Sequence, residues 1–451
     1  MKSRFALSIL TIFLSLFSSN IHALSGKWRG ELRIMQQTLP LVFNFNENDN
    51  GIQEATLDSP LQNVKGLPLE ILFVSADSIN LECKRIGAAF SGVISDDSII
   101  GKFSQRGFQI PLTLTPELSL EERRPQTPQP PFPYIEKDTF FISENGIRLY
   151  GTLTLPHPEM SSLVPVVVMA TGSGPQNRDE EIFEHRPFAV IADYLARNGI
   201  ASFRYDDRGT AASEGDYSAA SIKSFQTDLE NAFQFVKSFP NFSKAGILGH
   251  SEGGTLAVIS EGNLKPDFII SLAGMVTPAK NTLIEQNIHH LDRLGITGEQ
   301  KDASVRLINT LFSMISEQYK AGKREPIDVD MICREYSQDI PASVLESVKR
   351  NNSSRNDYFD SLVSLDPTDN LKKIDCPVLA INGRKDVQVN PDTNLKAFAD
   401  YVKNVEVRPM EGLNHLLQHC SSGEISEYGA INETISPEVL EMIVGFIKDK
   451  N

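Results

Sequence analysis

The sequence predicts an α/β protein, with a mostly parallel central sheet in its second part and an antiparallel β domain in its first part. Three observations support this prediction. Short apolar strands alternate with helical stretches after residue 138, short strands follow one another before residue 116, and a proline-rich segment separates the two regions.

Length, composition and charge limit the class of protein. The 451 residues exceed one ordinary domain, and 40% apolar with 22% charged residues describes a globular chain. A formal net charge of −15 disfavours nucleic acid and anionic membrane surfaces as partners. Cys83, Cys333, Cys376 and Cys420 lack metal-binding spacing, and we expect them to be mostly free.

The first 23 residues have the features of a secretory signal. Lys2 and Arg4 precede an apolar run from Phe5 to Phe17, and cleavage is expected after Ala23. We therefore expect export to the periplasm or the medium and no membrane attachment after cleavage. An uncleaved N-terminal anchor is the alternative, although the run is short for a membrane span.

Residues 24–115 are expected to form an antiparallel barrel or sandwich. Strands with turn residues between them are predicted at 27–35, 39–46, 51–58, 70–74, 78–83, 88–94, 99–104 and 108–114. Gly26-x-Trp28 resembles the first strand of a lipocalin-type barrel, whose Trp closes one end. A core Trp of any small β domain explains the pattern equally well.

Residues 116–137 are predicted to be a semi-rigid linker. Glu121 to Arg124 are charged, and five prolines follow within the next nine positions. The second domain is therefore placed at residues 138–451.

Strands and helices alternate in this second domain, which predicts a parallel sheet. An initial hairpin is expected at 140–143 and 148–155. Further strands are expected at 166–170, 200–205, 245–249, 268–272, 378–381 and 405–408, and helices at 182–198, 222–238, from 252, and at 437–448.

Residues 276–370 interrupt this alternation with helical periodicity alone. An insertion of this size between two core strands is expected to form a helical cap over the site. A peripheral helical decoration is the alternative.

Gly249-His250-Ser251-Glu252-Gly253 fits the pattern Gly-x-Ser-x-Gly between an apolar strand and a helical run. In that context the pattern indicates a strained turn that lifts the serine hydroxyl to the sheet edge at a helix N-terminus. Ser251 is thus the candidate nucleophile, and a plain turn serine is the alternative.

A serine hydroxyl needs a base, and in this arrangement the acid and then the histidine follow the serine along the chain. His415 lies after the last predicted strand, whereas His419 lies one helical turn further and is expected at the surface. Asp386 follows the preceding strand and is the candidate acid, with a turn or N-cap carboxylate as the alternative.

Two backbone N–H groups are expected to form the oxyanion hole. Glu252 follows the nucleophile, and Ser173 lies in the glycine-containing loop after strand 166–170. No metal or cofactor is expected for this chemistry.

Residues 139–451 resemble the α/β-hydrolase superfamily, in the branch of exported esterases and serine-aminopeptidase-like hydrolases. The resemblance lies in segments 172–179, 205–209, 249–254 and 412–415. It implies a carboxylesterase acting on short-acyl esters of small molecules, and the same Ser251, Asp386 and His415 triad. Thr171 departs from the His that many relatives have there. Asp207 and Arg208 are expected to form a structural ion pair.

Other functions stay open at this point. A peptidase, aminopeptidase or thioesterase could use the same triad, and an aminopeptidase would need a cap carboxylate such as Glu317 or Asp328 for the free amine. A ligand-binding protein, with an apolar ligand inside the β domain, is an alternative from another class. The β domain could also serve substrate presentation or formation of a homodimer.

Overall fold

The computed structural model describes residues 24–34, 37–47, 53–59, 62, 64–75, 77–95, 97–117, 123–157, 163–336 and 340–449. The predicted signal at residues 1–23 lies outside them. The chain divides into two compact units, residues 1–119 and 120–451. Cys83, Cys333, Cys376 and Cys420 are all within the described part of the chain and are free thiols.

The first unit is a closed barrel of eight antiparallel strands, in which each strand pairs with the next. The strands are β1 (Gly26–Ile34), β2 (Gln37–Glu47), β3 (Gln53–Ser59), β4 (Val64–Val74), β5 (Ser78–Cys83), β6 (Ala88–Ser95), β7 (Ser98–Gln105) and β8 (Phe108–Pro116). Pairing of Trp28 and Arg29 with the end of β8 closes the barrel. Of the two predicted forms, barrel or sandwich, the structure therefore has the barrel.

Side chains fill the barrel interior. Alternate residues of β5 point inward and are buried, as the strand period of two requires. Phe43 and Phe90 lie with ring centroids 5.2 Å apart, and Trp28 and Phe45 belong to the same buried cluster. An eight-stranded barrel is just wide enough for its own side chains, and these large residues occupy that space.

The second unit is built on an eight-stranded sheet in the order β16-β15-β14-β13-β11-β12-β10-β9. The strands are β9 (Ile135–Ile142), β10 (Arg148–Leu155), β11 (Val164–Ala170), β12 (Ala201–Tyr205), β13 (Phe242–His250), β14 (Ile269–Leu272), β15 (Val378–Gly383) and β16 (Val405–Met410). Strands β11 to β16 pair in parallel with their neighbours in the sheet. Strands β9 and β10 form an antiparallel hairpin at one edge, and β10 pairs antiparallel with β12.

Helices cover both faces of this sheet. The helices are α1 (Pro187–Arg197), α2 (Ile222–Lys237), α3 (Glu252–Leu264), α4 (Ala279–Arg293), α5 (Gly298–Lys320), α6 (Val329–Tyr336), α7 (Ala342–Ser353), α8 (Asp357–Val363), α9 (Thr368–Leu371), α10 (Pro391–Tyr401) and α11 (Pro437–Asp449). Val167 and Met169 of β11 pack with α1 and α11, whereas Val166 and Val168 pack with α2, α3 and α10. A strand buried on both faces explains its uninterrupted apolar sequence. The predicted fold class is confirmed.

Helices α4 to α9 form the insertion between β14 and β15. Their apolar residues, among them Leu307, Leu311 and Ile315, make a separate buried core. Leu294, the residue that caps the C-terminus of α4, is 53% exposed. None of the described helices is long and apolar enough to span a bilayer.

Two boundaries predicted from the sequence need correction. The helix expected at 182–198 begins only at Pro187, because Ile182 and His185 pair in a tight turn before it. Most of the expected linker at 116–137 belongs to the second unit, which begins at residue 120, and β9 already begins at Ile135.

Arg124 explains this second correction. Its side chain is buried in the second unit and donates hydrogen bonds to the carbonyl oxygens of Phe183, Gly429 and Ile431 at 2.8–2.9 Å. Gln126 adds hydrogen bonds to Thr434 and Ile435. Proline-rich composition indicated an extended segment, but these two polar side chains fix it to the protein surface.

This arrangement predicts where the second unit can be cut. A chain of residues 120–451 should stay folded, whereas residues 135–451 should be less stable by at least about 3 kcal/mol, because buried carbonyl oxygens lose their donors. Urea unfolding followed by circular dichroism measures the difference. Arg124→Ala in the longer chain should reproduce most of the loss, and equal stability of the two chains would contradict the assignment.

Candidate active site

Ser251 lies at a sharp turn between β13 and α3. Its backbone has φ 53° and ψ −116°, a conformation that side-chain-bearing residues rarely adopt. The Ser251 N–H donates to the carbonyl of Leu272 on β14, and its own carbonyl accepts from Gly254. The strained residue is thus held from both sides, as the predicted turn requires.

The glycines of the motif are required by close packing. A Cβ on Gly249 would lie 2.1 Å from the carbonyl oxygen of Gly253. A Cβ on Gly253 would lie 2.0 Å from the carbonyl oxygen of Ala170, at the end of β11. Both distances are far inside van der Waals contact, so any side chain at either position would force the turn apart.

Asp386 and His415 are hydrogen-bonded to each other. His415 Nδ1 lies 2.7 Å from Asp386 Oδ2, and both residues are buried. The other oxygen of Asp386 accepts from the backbone N–H groups of Gln388 and Val389, both at 2.8 Å. The carboxylate is therefore fixed in position, and it orients the histidine ring so that Nδ1 carries the proton.

Ser251, Asp386 and His415 follow the carboxyl ends of β13, β15 and β16, at one edge of the sheet. His250, next to Ser251, places its Nε2 3.0 Å from the carbonyl oxygen of His415. Among the described residues, no hydrogen bond joins the Ser251 hydroxyl to the His415 ring. Such bonds commonly form only when substrate is present.

His419 lies apart from this group. Its side chain is 57% exposed and pairs with Glu433, with Nδ1 2.9 Å from Oε1. The position agrees with the surface role expected for it.

The loop at residues 171–176, which we call the oxyanion loop after the role expected of it, uses most of its N–H groups in hydrogen bonds to neighbouring side chains. Gly172 donates to Glu180, Gly174 to the Tyr217 hydroxyl, and Gln176 to Asp207. Within the described residues, the N–H of Ser173 has no such partner. The N–H of Glu252 belongs to the first turn of α3, where amides lack partners inside the helix.

Asp207 and Arg208 do not form the expected ion pair. Arg208 binds Asp228 and Glu144, with Nε 2.7 Å from Asp228 Oδ2. Asp207 instead accepts from the Thr171 hydroxyl at 3.0 Å and from Gln176 N–H at 2.9 Å. Burial raises the pKa of Asp207 well above its usual value. The two residues begin a turn in which Thr210 N–H donates to the Asp207 carbonyl, and their side chains contact different partners. Closeness in sequence therefore did not predict an ion pair.

Sequence reasoning missed two buried residues and one half-buried residue of the site. Glu180 and His250 connect the oxyanion loop to His415, and Tyr358 of the cap contacts Glu252. His250 stands inside the serine motif, and Glu180 follows the segment that supports the family resemblance. Tyr358 lies far away in sequence, and no local pattern indicated it.

The side chain of Glu252, the residue after Ser251, lies in an environment that changes its pKa. It is buried beside the nucleophile, and the Tyr358 hydroxyl donates to its Oε2 at 2.6 Å. Burial, which the Tyr358 hydrogen bond opposes, raises the pKa of Glu252 to about 7. The carboxyl group is therefore partly protonated near neutral pH.

No group of histidine, cysteine and acidic side chains in the described part of the chain is arranged to hold a metal ion.

Comparison with known proteins finds a family and several relatives that resemble this chain. Residues 184–419 match the family described as serine aminopeptidase, S33. Esterase EstD of Thermotoga maritima is 28% identical over 291 residues, which cover 64% of this chain and 61% of EstD. A proline iminopeptidase of Lactobacillus delbrueckii subsp. lactis is 26% identical over 270 residues, 57% of this chain and 86% of the relative.

Solved structures align at lower identity. The α/β-hydrolase GrgF from Penicillium sp. sh18 is 17% identical, with 70% of this chain and 99% of that one covered at a TM-score of 0.44. An esterase of Pyrococcus furiosus is 15% identical, with 70% and 91% covered at a TM-score of 0.43.

The raised pKa of Glu252 predicts a pH effect on stability. The folded protein holds this proton more tightly than the unfolded chain, whose Glu has the usual pKa of 4.5. The stabilisation is complete below pH 4.5 and is lost as pH rises through 7, so Glu252→Gln should gain about 3 kcal/mol relative to wild type across that range.

Urea unfolding at pH 4.5 and pH 8 measures this difference. Glu299→Gln, whose side chain is 70% exposed on the cap, is the matched control and should show no such trend. A Glu252→Gln variant with the same relative stability at both pH values would contradict the prediction.

Proposed function

Because the chain belongs to the serine aminopeptidase S33 family of the α/β-hydrolase superfamily, we propose that it is a carboxylesterase of small, short-acyl esters. The observation that supports this best is the 2.7 Å hydrogen bond between His415 Nδ1 and Asp386 Oδ2, at the same sheet edge as the strained Ser251. A carboxylate, a histidine and a serine in this order form an activated nucleophile.

In the proposed reaction the Ser251 oxygen attacks the ester carbonyl carbon, and its proton passes to His415 Nε2. The bond to the alcohol oxygen then breaks, and His415 returns the proton to the departing alkoxide. Water repeats both steps on the acyl-enzyme and releases the acid. Asp386 keeps the ring oriented and stabilises the imidazolium.

We assign the oxyanion hole to the N–H groups of Ser173 and Glu252. The neighbours of Ser173 support this choice, because the N–H groups of Gly172 and Gly174 already donate to Glu180 and Tyr217. The start of α3 adds the favourable end of the helix dipole for the developing negative charge.

A peptidase acting on a free N-terminus is the second candidate, since two kinds of relatives, an esterase and proline iminopeptidases, match the chain. Such an enzyme needs a carboxylate for the substrate amine. Asp328 and Glu317 are acidic residues of the helical insertion. Asp328 accepts a hydrogen bond from Met331 N–H at the start of α6, and Glu317 is exposed on α5. These positions favour the ester over the aminoacyl substrate.

The ligand-binding alternative has less support. Buried aromatic and aliphatic side chains occupy the barrel interior and pack on one another, so an apolar ligand would have to displace them.

Variants of the triad test the mechanism. Ser251→Ala and His415→Ala should each lower kcat on nitrophenyl acetate by about 10⁴-fold or more, because the residues act as a unit. His419→Ala is the matched control and should keep most activity. A fluorophosphonate probe should label Ser251 alone, and labelling elsewhere or activity surviving in Ser251→Ala would overturn the assignment.

A substrate panel tests the bond that is cleaved. We expect kcat/KM to be greatest for nitrophenyl acetate and butyrate and at least about 100-fold lower for alanine and proline nitroanilides, since Asp328 caps a helix and Glu317 is exposed on α5. Decanoyl esters measure chain-length preference and an acyl thioester measures thioesterase activity. Preference for a nitroanilide would establish the peptidase instead.

A further inference from the structure

We propose that Glu180 and His250 are positioning residues that fix the oxyanion loop relative to the loop bearing His415, so that both are placed for the same transition state. This inference rests on the proposed function. Neither residue touches the reacting atoms in that mechanism. Each acts through a group that does.

The first link holds the oxyanion loop. Glu180 Oε1 accepts from the Gly172 N–H at 2.6 Å, immediately before Ser173. The same oxygen lies 2.8 Å from His250 Nδ1. One carboxylate oxygen thus joins the loop that offers the Ser173 N–H to the residue that precedes the nucleophile.

The second link reaches the base. His250 Nε2 lies 3.0 Å from the carbonyl oxygen of His415, and the two rings lie with centroids 4.9 Å apart. A carbonyl oxygen only accepts, so Nε2 must carry a proton. The chain of hydrogen bonds therefore runs from Gly172 through Glu180 and His250 to the backbone of His415.

The protonation of this chain follows from its geometry. Nε2 donates to His415, and a second proton lies between Nδ1 and Glu180, which favours the imidazolium form of His250. Burial opposes this charged form, but the Glu180 carboxylate outweighs it and raises the pKa of His250 above its usual value. The pair is neutral as a whole, so the carboxylate does not repel the oxyanion as an isolated charge would.

The buried pair of Glu180 and His250 lowers the stability of the folded protein. Glu180 and His250 are 3% and 7% exposed, and Glu180 Oε2 is buried without a partner among the described residues. Glu180 also has φ 53°, in the left-handed region. A strained backbone and an unsatisfied buried oxygen are expected where position matters more than stability.

Substitutions at Glu180 separate positioning from simple support of the fold. Glu180→Ala removes the acceptor of Gly172 and should lower kcat on nitrophenyl acetate on the order of 10²-fold with little change in KM, because the oxyanion forms only in the transition state. Affinity for a phenylboronic acid, which mimics the tetrahedral state at Ser251, should fall in parallel. Glu180→Gln keeps an acceptor for Gly172 and should recover most of kcat.

Hydrogen exchange measured by mass spectrometry supplies a readout without catalysis. Glu180→Ala should raise exchange in peptides covering 171–176 and 413–418 together, although the two segments are distant in sequence. Glu181→Gln is the control, since this neighbour pairs with Arg186 at the surface, and neither kinetics nor exchange should change.

The outcomes are distinguishable. A wild-type protein that hydrolyses no ester and is unlabelled at Ser251 overturns the proposed function. An active wild type whose Glu180→Ala variant keeps kcat, or loses kcat only in proportion to the fraction labelled by fluorophosphonate, overturns the positioning role. Raised exchange confined to residues 171–176 overturns the link to His415.

Discussion

The arrangement of the second unit depends on one steric constraint, the close approach of Gly253 to the end of β11. Without a side chain at 253, the first turn of α3 lies against the carbonyl of Ala170, and the oxyanion loop begins at the next residue. One backbone contact therefore sets the distance between the nucleophile turn and the loop that faces it. A methyl group there would separate the two parts of the site before any catalytic residue had changed.

Two buried carboxylates accept hydrogen bonds from the oxyanion loop and so determine which of its N–H groups stays free for a substrate. Asp207 and Glu180 take N–H groups on either side of Ser173, and Asp207 also takes the Thr171 hydroxyl. Neither carboxylate binds a lysine or arginine in the described hydrogen bonds. Amide donors hold both groups in place, and Glu180 also contacts the buried ring of His250, so these two carboxylates bring no long, flexible cation against the loop.

The sequence indicated the strands, the serine turn and the order of Ser251, Asp386 and His415, because each depends on a local pattern and on chain order. It did not indicate the contacts of Glu180, His250 or Tyr358, since these join segments that only the folded sheet brings together. The contacts of Arg124 were also not indicated by the sequence. Proline composition correctly suggested an extended segment, but composition does not reveal that one buried guanidinium attaches that segment to loops about 300 residues further along the chain.

The ends of the helical insertion have a consequence for how substrate range can diverge. The insertion leaves after β14 and returns to β15, which are hydrogen-bonded neighbours, and Asn394 of α10 binds the N–H groups of Val276 and Thr277 at its entrance. Part of the insertion packs in a separate core, whereas Ala279, Leu362 and Leu371 belong to the core of the sheet, and Tyr358 contacts Glu252. Since both ends are already held together, replacing the insertion adds little loop-closure entropy. Caps of different length can therefore join the same two strands, and this is one route by which the range of substrates can diverge.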